Sequence, residues 1–331
     1  MDNLSPQLIV TLLLVLAAEF VNGWTDAPNA IATVVSTRVL SPALAVTMAA
    51  ILNIAGAIAT GTAVATTIGT GIVRPEIIDL PVVAAAMLTI VLWSTVTAFY
   101  GIPTSESHEL IAGLTGAGLA VAGPSVLLWE GWRKVLIGLG FSTLLGFSFG
   151  MMMMTALYWL LRRTSVSSIR GVFSKLQILS AAFMAFSHGS NDGQKFMGAF
   201  ALALVLGGVM TQFTVPIWVM LLCGMVMATG TAVGGWRIIR TLGFKITKLE
   251  PVNGFAAESS AGLAILLASA FGIPLSTTHT IGTSIMGVGA LRRFSAVRWG
   301  VAGNIVVAWI ITFPVCAILG CLFTWLLKLV F

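Results

Sequence analysis

Few ionisable residues interrupt the apolar stretches of this chain, and those that do are grouped. Asp26, Asp192 and Lys195 lie in one recurring polar motif; Glu106, His108 and Glu109 lie in or beside another, whose second copy carries His279. All three histidines, His108, His188 and His279, fall within these motifs. An ionisable group at the centre of a membrane helix costs roughly 2.5–3.5 kcal/mol on insertion scales, so such residues call for a function. Asn22 to Asn29 and His188 to Lys195 crowd Gly, Asn and Asp, with a proline in the first copy, into apolar sequence. That composition opposes continuous helix and predicts that the chain unwinds or kinks at both places. Freed carbonyls, a carboxylate and amides together suit a small cation, or the protons and waters of an oxyanion. The candidates are Thr25, Asp26, Asn29, Asn191, Asp192 and Lys195.

The second motif does different chemistry. In Pro103-Thr104-Ser105-Glu106-Ser107-His108 and Pro274-Leu275-Ser276-Thr277-Thr278-His279, a proline and hydroxyl residues precede an apolar helical run, the signature of a helix start. Free N–H groups and about half a positive charge at each such end favour an anion. Thr104, Ser105, Ser107, Ser276, Thr277 and Thr278 supply neutral donors, and two copies aim two helix ends at one point. Ser105 with His108, or Ser276 with His279, would also serve an intramembrane hydrolase. An enzyme needs one active site, however, and both copies are retained here.

The elements that position these residues are membrane helices. Of 331 residues 58% are hydrophobic and 8% charged, with a mean hydropathy of +1.02. Soluble domains carry about a quarter charged residues, so a water-soluble fold is excluded, and with it a coiled coil, a nucleic-acid-binding domain or a secreted disulfide scaffold. Runs such as 135–161 and 301–327 are long enough to cross a hydrocarbon core of about 30 Å. Cys223, Cys316 and Cys321 lie in apolar stretches without metal-ligand spacing, so neither a disulfide nor a metal site is expected. The N-terminus has Asp2 and no Lys or Arg before Arg38, the wrong charge for a cleaved leader, so the first apolar run should be retained. No Gly-x-x-x-x-Gly-Lys-(Ser/Thr) loop is present, so ATP is not expected to drive the protein directly.

The chain is internally duplicated. Besides the two motifs above, Ala59-Thr60-Gly61-Thr62-Ala63-Val64 recurs unchanged as Ala228-Thr229-Gly230-Thr231-Ala232-Val233, and all three echoes fall about 170 residues apart in the same order. Apolar segments at about 8–35, 43–66, 81–100, 103–122 and 135–161 are matched by others at about 176–207, 214–234, 252–271, 274–290 and 299–330. The expected fold is an all-α polytopic membrane protein of two repeats, 1–165 and 176–331, each of about five membrane segments, with broken helices and hairpin segments meeting at mid-membrane. An odd number of crossings inverts the second repeat. Threading from an outside N-terminus gathers twelve of the seventeen basic residues on one face, among them Arg38, Arg162, Arg163, Arg237, Arg240 and Arg292. That fits the positive-inside rule with both termini outside, and it assigns the net charge of +6 to topology. Inverted repeats meeting at mid-membrane are a common transporter architecture.

These motifs resemble the inorganic phosphate transporter (PiT) family. The resemblance rests on Asn22-Gly23-x-x-Asp26-x-x-Asn29-Ala30-Ile31-Ala32-Thr33, on His188-Gly189-Ser190-Asn191-Asp192-Gly193-Gln194-Lys195 and on the two Pro-x-Ser-x-(Ser/Thr)-His motifs, and it covers nearly the whole chain. It implies secondary active uptake of inorganic phosphate through a bacterial inner (plasma) membrane, coupled to a cation, in a homodimer with no cofactor and no nucleic-acid partner. Glu258 matches an acidic position of the family, so the ion-coupling candidates are Asp26, Asp192, Glu258, His108, His188 and His279. Sodium-coupled members tend to carry Asn-Asp-x-x-Asn in both halves; here Thr25 precedes Asp26 and the second copy ends in Lys195. A lysine ammonium can stand in for a sodium ion beside Asp192. The pattern looks more like bacterial proton-linked members, some of which carry phosphate as a neutral metal complex. A sulfate permease of the same fold and a passive anion channel remain open alternatives.

Overall fold

The computed structural model describes residues 5–330, so the first four residues and Phe331, and with them the termini assigned to the outside, lie beyond the description. Sequence punctuation sets the helix starts. Ser5, Ser41 and Asp79 accept from backbone N–H groups three residues on, ahead of Pro6, Pro42 and Pro81. They open α1 (Pro6–Thr25), α3 (Pro42–Ala59) and α5 (Leu80–Tyr100). Between and after these lie α2 (Ala32–Ser36), α4 (Ala63–Gly71), α6 (Glu106–Ala122) and the 33-residue α7 (Trp129–Leu161). The second half contains the 41-residue α8 (Val166–Leu206), α9 (Ile217–Val233), α10 (Trp236–Arg240), α11 (Pro251–Ala270), α12 (Thr277–Arg292) and α13 (Trp299–Val330).

Among the described residues, eight helices are long and apolar enough to cross a membrane. The bent pair Ile217–Val233 and Trp236–Lys245, meeting at 63°, makes up to nine. The chain is thus an all-helical, multi-pass membrane protein. The expected segment at 274–290 falls short because α12 has 16 residues, about 24 Å of helix at 1.5 Å per residue. It is the return arm of a hairpin. Helices α5 and α6 turn through Gly101 and Ile102, α11 and α12 through Gly272 and Ile273, and both glycines take left-handed φ values, +68° and +65°. Such a conformation costs an L side chain about 1 kcal/mol or more. Both turns lie inside the protein: Pro103, Thr104, Ser105, Pro274, Leu275 and Ser276 are all buried.

The two halves interlock. Helix α6 packs along α13 and α12 along α7; α3 packs on α8 and α1 on α9. Each pair joins one half to the other, and the pairs exchange partners as a duplicated chain requires. Two apolar cores result, each drawn from both halves. Small residues permit the close approaches: a Cβ on Gly116 of α6 would lie 1.8 Å from the Ala317 carbonyl oxygen of α13.

The expected break at His188–Lys195 is not found. The first copy breaks as predicted, α1 ending at Thr25 and a 3₁₀ turn covering Ala27–Ala30. The second copy runs on within α8. It lacks the proline, and its glycines serve packing: a Cβ on Gly189 would stand 2.1 Å from the backbone carbonyl oxygen of Asn53, and one on Gly193 2.9 Å from the Ala57 Cβ.

Candidate functional site

The break after α1, the middle of α8 and the starts of α6 and α12 meet in the interior, where Asp26, Asp192 and Lys195 are 1–2% exposed. Because α1 stops at Thr25, Asp26 faces the second hairpin. Its Oδ1 accepts from the Asn29 amide and the Thr278 hydroxyl, and its Oδ2 lies 3.3 Å from Thr277 Oγ1. Asn29 also donates to Thr278 Oγ1 at 2.8 Å. From α8, Asp192 presents Oδ2 to the same Thr277 hydroxyl at 2.9 Å and to His188 Nε2 at 3.3 Å. Thr277 thus bridges the carboxyl groups of the two halves. Lys195 pairs with Asp192 Oδ1 and also donates to Ser107 Oγ, in the first turn of α6, and to the Leu275 carbonyl oxygen at 3.1 Å. All three ammonium hydrogens have acceptors, and the lysine is buried within α8. Thr25 donates to Glu106 Oε1 at the first residue of α6.

Several buried polar atoms here have no protein partner: Ser105 Oγ, Glu106 Oε2 and Asn29 Oδ1. A buried unsatisfied group costs about 1–3 kcal/mol, so their grouping suits a polar ligand. Ser276 differs from its counterpart Ser105: its oxygen accepts from the His279 N–H at 3.2 Å as an ordinary cap, which leaves its hydrogen free to donate. For a metal ion, Asp26, His188 and Asp192 each offer a ligand atom, all within 4.8 Å of one another.

The other expected residues are dispersed. Thr104 donates to Glu109 Oε1 at 2.8 Å, within the first hairpin. Asn191 donates to Ser269 Oγ at 2.9 Å and to the Ile273 carbonyl at 3.1 Å, tying down the second hairpin. Glu258 sits in a separate polar cluster, accepting from Thr33, from Ser180 and from Gln177 Nε2 at 3.1 Å. The histidines divide: His188 joins Asp192 and, through Nδ1, the side-chain Oδ1 of Asn53 at 3.1 Å, whereas His108 and His279 meet each other edge to face with centroids 4.5 Å apart. Sequence reasoning passed over Glu19, fully buried and accepting from Asn22 at 3.0 Å, although a lone acid in an apolar run was signal enough. Asn53 gave no such signal.

Interlocked broken helices around buried charge define a membrane transport protein. The sequence signature of the phosphate transporter family matches residues 22–170 and again 161–320, so the chain belongs to that family. It is a transporter, not an enzyme. A probable low-affinity inorganic phosphate transporter of Rhizobium meliloti is 45% identical over 318 residues, 96% of this chain and 95% of that one. A protein of the same description in Bacillus subtilis is 38% identical over 330 residues, 98% and 99% of the two chains. A solved structure described as the sodium-dependent phosphate transporter shares the fold, with a TM-score of 0.91 over 99% of this chain and all of the other, at 24% identity.

Proposed function

We propose that the chain carries inorganic phosphate across the membrane by alternating access, coupled to a cation gradient, protons rather than sodium. The observation that carries this reading is the convergence of Asp26 and Asp192, equivalent residues of the duplicated motif, on one hydroxyl at the start of α12. Thr277 has a single hydrogen for two carboxyl contacts, so a proton on one carboxyl satisfies the second. Phosphate at neutral pH retains acidic hydrogens that these carboxylates accept, whereas sulfate offers none. Lys195 stands where a sodium ion would otherwise neutralise Asp192, which favours protons. Ser105 and the free hydrogen of Ser276 are the anion's donors; Ser107 and Thr278 join them by giving up their bonds to the Leu275 carbonyl and to Asp26, and a divalent cation carried with phosphate would find ligands in Asp26, His188 and Asp192. Glu258 and the histidines are the further candidates for coupling.

In this reading, 1–165 and 176–331 are inverted repeats. With each hairpin returning to the side it entered, three crossings remain per half, still an odd number, and the basic loops keep their common side with the termini outside. The test is phosphate uptake into proteoliposomes under imposed proton or sodium gradients with sulfate as competitor. Proton-driven, sodium-indifferent uptake that excess sulfate leaves intact is expected. Uptake that follows only sodium, or that sulfate abolishes, would overturn it.

A further inference from the structure

Glu19 lies seven residues before Asp26 on α1, about 10 Å of helix at 1.5 Å per residue, and is fully buried. One donor reaches it, the Asn22 amide at 3.0 Å from Oε2, and among the described residues it makes no ion pair. Its Oε1 and the Oδ1 of Asn22 are both buried without a hydrogen-bond partner, and both can only accept while the acid is ionised. The other buried glutamates are better provided. Glu258 accepts from three side chains, Glu109 from Ser94 and Thr104, and Glu106 from Thr25 at the start of α6, where the helix dipole favours an anion. The titratable groups within electrostatic reach of Glu19 are Asp192 and Lys195 of α8, already paired with each other, and Cys223 of α9. Helix α5 and the turn at Ala27–Ala30, which also pack on α1, carry no titratable side chain but Tyr100 at the end of α5.

We infer that Glu19 is a proton-binding residue of the transport cycle, carrying a coupling proton on the α1 side of the charged centre. Size sets the ligand. Neither unpartnered oxygen has surface that a water molecule could reach, and hard metal cations gather about six oxygens, of which Glu19 and Asn22 supply two. A proton needs no such space. Bound to Glu19, it removes a buried charge that has no counter-ion and turns an orphaned acceptor into a donor. Position sets the role. Helix α1 belongs to the first half and α8 and α9 to the second, so Glu19 is covered where the halves meet, the kind of surface that alternating access opens. In the topology proposed above α1 starts outside, and a proton arriving from that side meets Glu19 before Asp26. The coupling role rests on the proton-driven reading, whereas proton binding by Glu19 does not.

The test sets Glu19→Gln, an amide of the acid's size, against Glu19→Asp, which keeps a titratable group, with the full chain in proteoliposomes. Glu19→Gln should lose concentrative phosphate uptake under an imposed proton gradient yet keep exchange of internal for external phosphate at the parental rate, because exchange moves no net proton; that exchange also reports a folded variant. Glu19→Asp should keep concentrative uptake with its pH profile displaced. Infrared spectra give a readout free of transport: the parent should show a protonated-carboxyl C=O band that fades as pH rises and that Glu19→Gln lacks. Concentrative uptake by Glu19→Gln with the parental pH profile, or infrared spectra that do not distinguish it from the parent, would overturn the assignment. If Glu19→Gln fails to fold, an undisplaced pH profile in Glu19→Asp overturns it instead. A parent that ignores the proton gradient, with the infrared band present and missing from Glu19→Gln, would overturn the proton-driven reading and the coupling role while leaving Glu19 a proton site.

Discussion

Replacing Lys195 by Asn tests the electrostatics of the centre most directly. The ammonium is 1% exposed, pairs with Asp192 and donates to two further oxygens. Removing one partner of a buried ion pair costs about 3–5 kcal/mol, because the other charge stays buried without compensation. At 1.4 kcal/mol per factor of ten, the lower figure is about a hundredfold. Without sodium, the variant should take up phosphate about two orders of magnitude more slowly than the parent. A sodium ion seated beside Asp192 would restore the neutralising charge, so uptake by the variant should rise at least about tenfold with sodium while the parent ignores it. The assay is labelled-phosphate uptake into proteoliposomes across sodium concentrations at fixed pH and membrane potential. A variant that works at the parental rate and ignores sodium would refute the built-in cation. A loss of apparent affinity that sodium leaves unrepaired would instead make Lys195 a direct phosphate ligand, which requires one of its three hydrogen bonds to give way.

Three further outcomes are expected. Ser105→Ala removes a hydroxyl with no protein partner, so apparent phosphate affinity should fall about ten- to a hundredfold, the worth of a hydrogen bond to a charged group, with thermal stability unchanged. Ser276→Ala should lose affinity similarly and, because it also removes the cap on His279 N–H, should unfold with about 1 kcal/mol less stability; indistinguishable melting of the two variants would contradict this asymmetry. Asp26→Asn sets an amide against the donors Asn29 and Thr278, and concentrative uptake, measured at matched expression, should disappear. Gly116→Ala forces a methyl against the Ala317 carbonyl, and a stability loss of about 1–3 kcal/mol, read from thermal unfolding in detergent, is the expected cost of that overpacking.

The residues of the centre were legible because charge in an apolar run stands out and because each motif occurs twice. The starts of α6 and α12 were legible for a local reason, proline and hydroxyl residues ahead of a helical run. What failed was the state of the chain at His188–Lys195. Glycine weakens a helix and also admits a neighbour, and composition does not separate the two effects; the Asn53 oxygen against Gly189 does. The scatter of Thr104, Asn191 and Glu258 away from Asp26 was hidden for a related reason. Motif membership places a residue in a segment but does not set the face it takes there, and that face is decided by partners such as Glu109, Ser269 and Gln177. The pairing of α6 with α13 and of α12 with α7 joins helices far apart in the chain and leaves no local trace.

The Ala-Thr-Gly-Thr-Ala-Val repeat, silent in the sequence, lies where α3 gives way to α4 and at the end of α9. Just beyond the first copy, Thr67 donates to the Gly272 carbonyl at 2.7 Å; beyond the second, Thr241 donates to the Gly101 carbonyl at 2.7 Å, and Arg237 donates to the carbonyl of Phe99. Each hairpin tip is therefore latched by the opposite half of the chain. Neither tip can be released by rearranging its own half alone, so the two are mechanically answerable to each other. On the coupled-transport reading proposed above, a lesion in one latch would free the hairpin across the molecule and leave its own half intact, and its signature would be a leak: phosphate running down its gradient with the driving ion left behind.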